Sequence, residues 1–154
     1  MMIAMSILSY SKTDIYARIL TLANLENRRI IRNSLKHAIY SKDGEYIQPD
    51  SHMCGFYGIA IQNALYHFFN DHSFEKAMYD TIKLGGDTDT NCCIMGGLLG
   101  AYDGISNIPV RFVDKVFLLE NAKYDRHKKL PIVHPENMAD TIDKLVSTLL
   151  ATFT

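Results

Sequence analysis

The stretch that decides the fold and chemistry of this 154-residue chain is GGDTDT, at residues 85–90. Behind its two glycines it places two carboxylates, Asp87 and Asp89, and the hydroxyl of Thr90. Carboxylate and hydroxyl oxygens are preferred ligands of Mg²⁺, Mn²⁺ and Ca²⁺, whereas Zn²⁺ and Cu²⁺ favour nitrogen and sulfur. The stretch therefore predicts a site for a hard divalent cation.

The apolar run downstream of this stretch, residues 91–102, predicts a helix that begins at the carboxylates. The free N–H groups and the macrodipole at a helix N-terminus favour negative charge there. A simpler hypothesis makes Asp87 an ordinary N-cap residue. A cap needs only one short polar side chain, however, and leaves Asp89 and Thr90 unexplained. We therefore favour the cation site.

Two other motifs begin in a similar way and are excluded by their later positions. An EF-hand loop needs glycine where Cys92 stands and glutamate where Leu98 stands. A nucleophile motif of the haloacid-dehalogenase type needs threonine or valine in place of Asn91, and a buried strand before it. Residues 78–84 instead continue a helical pattern. Neither motif accounts for the stretch.

Apolar residues recur at helical spacing along most of the chain, and no segment alternates convincingly as a strand. Ser73 stands where an N-cap would open one helix, and Pro109 where a first-turn proline would open another. The pattern predicts an all-α fold, a helical bundle that forms a single domain over residues 1–154. The positions that define the helices are Ile15, Ile19, Leu22 and Ala23; Ile31, Leu35, Ala38 and Ile39; Ile61, Leu65, Phe68 and Phe69; Phe74, Ala77, Met78, Thr81 and Ile82; and Met138, Ile142, Leu145, Val146, Leu149 and Leu150.

Composition limits the classes of function. Hydrophobic residues make up 47% of the chain, and 16 Lys and Arg stand against 17 Asp and Glu. Because there is no basic excess, we expect no nucleic-acid partner. The apolar residues 1–10 are too few to span a bilayer and lack a basic leader, so we expect no membrane partner. Three cysteines, two of them adjacent, form no disulfide framework and indicate a reducing, cytoplasmic location.

The wider pattern around the motif matches a known family. Residues 73–77 read SFEKA, residues 84–90 read LGGDTDT, and residues 100–109 read GAYDGISNIP. This order of segments strongly resembles the C-terminal part of ADP-ribosylglycohydrolases, the group that includes dinitrogenase reductase-activating glycohydrolase. The resemblance is best over residues 51–120 and weaker in the flanks. It implies a helical domain that binds or hydrolyses ADP-ribose conjugates.

The resemblance also implies a metal-dependent site. Family members bind two ions, Mg²⁺ or Mn²⁺, and the matching motif here would supply Asp87, Asp89 and Thr90 as ligands. These residues encode at most half of the two-metal site. Cations in such a site position the distal ribose of ADP-ribose and a water beside its anomeric carbon.

Two further pairs of residues are candidates for substrate binding. Gly85 and Gly86 would let the ligand approach the backbone closely. Phe56 and Tyr57 would stack on the adenine, the alternative being that both are ordinary core residues. His52 and His67 have no recognisable partner in the sequence, and we expect them to be satisfied histidines and not ligands.

Several parts of the family's site are missing from the sequence. Family members carry a second acidic cluster nearer the N-terminus, usually Thr-Asp-Asp, and a G-D-x-x-G segment with a catalytic acidic residue. This chain has no Asp-Asp pair, and its only Gly-Asp lies at residues 86–87. It therefore resembles the C-terminal half of a family member, as if truncated on the N-terminal side, and no catalytic residue is assigned.

Three functions remain open. The first is a Mg²⁺- or Mn²⁺-dependent ADP-ribosylglycohydrolase whose missing ligands come from another polypeptide or a second copy of this chain. The second is a catalytically inactive remnant that binds ADP-ribose or a nucleotide. The third is a structural helical interaction domain. Half of a fold leaves apolar surface exposed, so we also expect a homo-oligomer or a partner polypeptide.

Overall fold

The computed structural model describes residues 1–40 and 54–117, together with residues 144, 147 and 148. It divides the chain into two compact units, Met1–Ile108 and Pro109–Thr154, which are described separately below. The described residues form helices and turns without a strand, which confirms the all-α prediction. The extent of a single domain over residues 1–154 stays a prediction.

The first unit contains six of the described α-helices and one turn of 3-10 helix. Most of them follow the apolar spacing of the sequence, and the helix after the motif begins at Thr88, at the carboxylates themselves. The elements are α1 (Met2–Ile7), α2 (Lys12–Leu25), α3 (Arg29–Tyr40), α4 (Tyr57–Phe69), α5 (Phe74–Leu84), α6 (Thr88–Asp103) and the 3-10 turn Ile105–Asn107.

Short polar residues set several helix boundaries. The Ser73 hydroxyl accepts a hydrogen bond from the backbone N–H of Lys76 at 3.3 Å, which confirms Ser73 as the N-cap of α5. The Ser11 hydroxyl caps α2 in the same way, accepting from the N–H of Asp14 at 3.1 Å. Between α2 and α3 the chain turns at Asn27, whose φ of 52° lies in the left-handed region that asparagine tolerates.

Helix α4 is the central element of the first unit. It packs against both α3 and α6, and α6 also contacts α5 and α1. Nine of the 13 residues of α4 are buried, so its apolar surface is not confined to one face. Phe68 is fully buried, with its ring edge-on to those of Phe69 and Tyr102 at centroid distances of 5.0 Å. Other buried members of the core are Ile15, Ile19, Leu35, Ala38, Leu65, Ala77, Met95, Leu98 and Leu99.

Helix α1 is an element that the sequence pattern does not predict. It has six residues, fewer than two turns, so its apolar residues do not reveal a helical period. It nevertheless packs on α6 and buries Ser6. No helix within the described residues combines the length and hydropathy that crossing a membrane requires.

The second unit begins at Pro109, the residue predicted to open a helix. Pro109 immediately precedes α7, which runs over Val110–Phe117, and the Pro109 carbonyl accepts a hydrogen bond from the N–H of Phe112 at 2.9 Å. Lys144, Ser147 and Thr148 are helical positions in the last predicted helix. The rest of that helix and the 41–53 segment with His52 lie outside the described residues.

Candidate metal centre

Two consecutive glycines connect α5 to α6 and orient the motif. Gly85 has a φ of 81° and Gly86 a φ of 72°, both in the left-handed region where a side chain is costly. Helix α5 ends at Leu84, and the backbone N–H of the next residue, Gly85, donates a hydrogen bond to the carbonyl of Ile82 at 3.2 Å. The next residue, Asp87, is already the N-cap of α6. The glycines thus turn the chain within two residues and bring the carboxylates to the start of a helix.

The structure gathers the three predicted ligands at one helix end. Asp87 is half-buried, while Asp89 and Thr90 are exposed in the first turn of α6. Although Asp87 occupies the N-cap position, its side chain makes no capping hydrogen bond. The capping hypothesis therefore does not account for its carboxylate.

Local contacts favour the charged form of Asp89. A side-chain hydrogen bond between Asp87 and Asp89, followed by hydrogen bonds from the backbone amides of Thr90 and of Asp89 itself, holds the pKa of Asp89 below its ordinary value. An ionised carboxylate offers only acceptor oxygens, as a hard cation requires. Asp87, Asp89 and Thr90 are called the oxygen cluster below, and their binding of a cation stays a prediction.

The two aromatic candidates lie at the start of α4. The rings of Phe56 and Tyr57 have centroids 4.9 Å apart and planes inclined by 58°. Phe56 is half-buried and its ring covers Gly58, where a Cβ atom would lie 2.4 Å from it. Tyr57 is 60% exposed, so the alternative that it is a core residue is wrong. Stacking of either ring on adenine remains a prediction.

A second group of metal-type side chains lies between α4 and α5. His67 comes from α4, His72 from the turn after it, and Asp80 from α5. One donor atom from each lies within 4.8 Å of the other two, and the Nδ1 atoms of the two imidazoles are 2.9 Å apart. We call these three residues the histidine cluster.

The electrostatic surroundings set the charges of the histidine cluster. Burial, with a smaller contribution from His72, lowers the pKa of His67 from 6.5 to about 4. Burial and then Lys76 lower the pKa of His72. Burial alone would raise the pKa of Asp80, but the hydrogen bond and charge of Lys76 outweigh it and the pKa falls. At neutral pH the cluster therefore holds two neutral imidazoles and one carboxylate.

The structure corrects the expectation for His67. It is fully buried, and its Nε2 atom has no hydrogen-bond partner within the described part of the chain. Only one of its two ring nitrogens, Nδ1, therefore has a polar partner. His72 and Asp80 are not among the site residues predicted from the sequence. Their spacing gives no signal that joins them to His67, since His72 follows it across a turn and Asp80 lies on the next helix.

A cavity of about 270 Å³ adjoins the histidine cluster at His72. It is mostly polar. On its wall the ammonium of Lys12 contacts the Asp71 carboxylate at 2.6 Å and lies over the Phe68 ring, 4.7 Å from its centroid. The other lining residues are Ser73, Phe74, Asp103 and Asn107.

Comparisons with known proteins identify sequences that are similar to this chain. The family model of ADP-ribosylglycohydrolases matches residues 1–149. A putative ADP-ribosyl glycohydrolase of Acanthamoeba polyphaga mimivirus is 35% identical over 89 residues, which cover 58% of this chain and 26% of that protein. The ADP-ribosyl-(dinitrogen reductase) glycohydrolase of Rhodospirillum rubrum is 32% identical over 56 residues, 36% of this chain and 19% of that one.

An ADP-ribosylhydrolase of Danio rerio is 36% identical over 62 residues, covering 40% of this chain and 16% of the relative. No solved structure is significantly similar. The chain belongs to the ADP-ribosylglycohydrolase family, since the family model spans nearly all of it. The aligned segments cover about a quarter or less of the length of these relatives.

Proposed function

We propose that the oxygen cluster holds one Mg²⁺ or Mn²⁺ and that the chain uses it to bind ADP-ribose or an ADP-ribosylated substrate. The single observation that carries the proposal is the carboxylate of Asp87, which stands at the N-cap of α6 without making a capping hydrogen bond. Asp89 and Thr90 add oxygens from the same exposed turn. When bound, the cation supplies a Lewis acid that orients ribose hydroxyls and favours attack by water.

The residues around the cluster have separate tasks in this proposal. The positive-φ backbone of Gly85 and Gly86 leaves no side chain between the ligand and the turn. The N-terminus of α6 favours the negative charge of the carboxylates. The exposed ring of Tyr57, with Phe56 beside it, offers a stacking surface for adenine.

The oxygen cluster supplies ligands for one cation and not for the pair of ions that the resemblance to the family implies. A second acidic cluster of the family type is absent from its sequence, which has no Asp-Asp pair. Groups that act as a unit in catalysis are strongly non-additive, so half of a site gives far less than half of the rate. The proposed activity of the purified chain is therefore binding, and hydrolysis of a glycosidic bond requires ligands from a partner polypeptide or a second copy.

An apolar groove supports association with such a partner. It has a volume of about 260 Å³ on the first unit and lies between α1, α4 and α6. Met1, Ile3 and Ile94 line it with exposed fractions of 53%, 47% and 45%. Large exposed apolar side chains that adjoin one another are typical of interaction surfaces. Sedimentation analysis tests this: concentration-dependent association supports it, and a monomer at all concentrations contradicts it.

We place the chain in the cytoplasm, as the cysteines indicate. Cys54, Cys92 and Cys93 are all free thiols, and Cys92 and Cys93 are consecutive on α6. Free thiols persist in a reducing compartment.

Binding and hydrolysis assays with the same protein test the function. We expect calorimetry to detect ADP-ribose binding in the presence of Mn²⁺ and its loss after chelation or in Asp87→Ala. We also expect negligible release of ADP-ribose from peptides modified on arginine or serine. Rapid turnover that depends on Mn²⁺ and on Asp87 would overturn the assignment of binding alone, and the absence of any ADP-ribose binding would overturn the proposal as a whole.

A further inference from the structure

The histidine cluster has the donors of a different kind of metal site. Two imidazole nitrogens and one carboxylate oxygen form a ligand set that suits Zn²⁺ and its first-row neighbours, whereas Mg²⁺ prefers oxygen alone. The donors of His67, His72 and Asp80 lie within 4.8 Å of one another and come from three successive segments of the chain. Three protein ligands with a remaining open position are common in zinc sites.

Burial and close contact fix the two imidazoles as a pair. His67 is fully buried, so packing holds its ring in place. The Nδ1 atom faces the Nδ1 atom of His72 at 2.9 Å, so only one proton fits between the two rings. The edge of the Tyr66 ring packs against both imidazoles, with centroid distances of 5.2 Å and 5.3 Å.

We propose that His67, His72 and Asp80 bind a late first-row divalent cation of the Zn²⁺ type, at a site separate from the oxygen cluster. The ion takes the place of the proton between the imidazoles and accepts the Asp80 carboxylate as its third protein ligand. Water fills the remaining position.

The geometry requires a small adjustment of the imidazoles and a larger one of Asp80, whose donor oxygen lies within 4.8 Å of the two nitrogens. Tetrahedral Zn²⁺ with Zn–N bonds of about 2.0–2.1 Å separates two ligand nitrogens by roughly 3.3 Å. The two Nδ1 atoms, now 2.9 Å apart, must therefore move apart by a few tenths of an ångström. His72 is only half-buried and borders the cavity beside Ser73, so its ring has room to move and the ion has access from solvent.

Lys76 competes with the ion for Asp80. The Lys76 ammonium donates a hydrogen bond to one oxygen, Oδ2, of the Asp80 carboxylate one helical turn away. A bound cation must use the other oxygen or displace the ammonium. Removal of this positive charge should strengthen Zn²⁺ binding. A substitution of Lys76 should therefore raise the affinity, whereas substitutions of the ligands should lower it.

The test uses the full chain, stripped of metal with a chelator and titrated with Zn²⁺, and with Co²⁺ for its visible spectrum. We expect one Zn²⁺ per chain and a Co²⁺ absorption typical of four or five ligands. His72→Gln and Asp80→Asn should weaken Zn²⁺ binding at least about tenfold. Even the loss of an outer-shell partner of a metal ligand lowers metal affinity by about this factor. Lys76→Gln should tighten binding several-fold. His67 is left unchanged in this titration because its substitution also alters the core, so a loss of Zn²⁺ binding there would not be specific to the ligand.

Two controls separate this site from others. Asp89→Asn, in the oxygen cluster, should leave Zn²⁺ affinity unchanged, as should the double variant Cys92→Ser/Cys93→Ser, which removes adjacent thiols. Circular dichroism confirms that each variant folds. The proposal is overturned if the wild type binds no Zn²⁺, if binding survives in both His72→Gln and Asp80→Asn, or if it is lost in the cysteine variant. A failure here leaves the Mn²⁺ and ADP-ribose assays of the oxygen cluster unaffected.

Discussion

The oxygen cluster and the histidine cluster are neighbours in sequence but differ in almost every physical respect. The oxygen cluster is a contiguous, largely exposed turn at the end of one helix, held by two glycines with positive φ. The histidine cluster draws its members from α4, the following turn and α5, and its central imidazole is fully buried. The first therefore owes its geometry to the local chain, whereas the second exists only when two helices are packed together.

This difference predicts which cluster is coupled to folding. Exposed carboxylates can change without disturbing a core, but a buried imidazole contributes to the free energy of folding. Three predictions test the contrast, from the largest expected effect to the smallest.

The largest effect should be a dependence of stability on pH that arises at His67. Its pKa is 6.5 unfolded and about 4 folded, lowered by burial and by facing His72 and Lys76, and raised in part by Asp80. As pH falls from 6.5 toward 4, His67 binds a proton in the unfolded chain but stays neutral in the folded protein. Stability therefore falls with pH over this window, by up to about 3 kcal/mol.

Urea unfolding of the metal-free protein across this window measures the effect. His67→Leu, which is similar in size and cannot titrate, should remove most of the slope. His37→Gln, at an exposed histidine of α3, should leave the slope in place. A slope that persists in His67→Leu would show that other groups carry it.

The next effect concerns the turn that holds the oxygen cluster. Gly85→Ala places a side chain at a φ of 81° and should cost about 1–2 kcal/mol, although no atom lies near enough to clash. The strain should also shift Asp87 and weaken Mn²⁺ binding. Gly97→Ala is the matched control, because Gly97 is exposed in the interior of α6 with open space around it. It should stabilise the protein by up to about 1 kcal/mol. Equal effects of the two substitutions in urea unfolding would contradict this account.

A smaller effect is expected at the N-cap of α5, which carries Asp80 in the histidine cluster. Ser73→Ala should cost about 1 kcal/mol and fray the first turn of α5. Ser11→Ala should cost a similar amount at α2, where the same kind of cap is present. Only Ser73→Ala should also weaken Zn²⁺ binding at the histidine cluster. If both variants bind Zn²⁺ as the wild type does, α5 does not depend on its cap for the position of Asp80.

The contrast between the clusters also explains what the sequence could predict. The GGDTDT stretch carries its whole chemistry in six consecutive residues, so its glycines, carboxylates and following helix could be identified directly. The apolar spacing likewise predicted helices α2 to α5, because apolar residues recur at helical intervals over several turns of each, and the apolar run after the motif predicted α6. Ser73 and Pro109 marked the starts of two helices, because a residue at a helix start acts through its own side chain and its nearest neighbours.

The histidine cluster could not be predicted in this way. His67 lies on a helix that is buried nearly all round, so its position on the helix gives no sign of a polar partner. His72 and Asp80 reach it only because α5 turns back after Asp71, where φ is 54°. Helix α1 was missed because it is short, and the exposure of Tyr57 depends on tertiary packing that residue type does not reveal.

The most direct test of the central claim is a titration of the chain with Mn²⁺, followed by electron paramagnetic resonance, with and without ADP-ribose. The account predicts weak binding of one Mn²⁺ that tightens when ADP-ribose is added. Asp89→Asn should abolish Mn²⁺ binding while leaving thermal stability unchanged, because Asp89 is exposed. His72→Gln should still bind Mn²⁺. Mn²⁺ binding that is absent from the wild type, or that persists unchanged in Asp89→Asn, would contradict the assignment of the cation to the oxygen cluster.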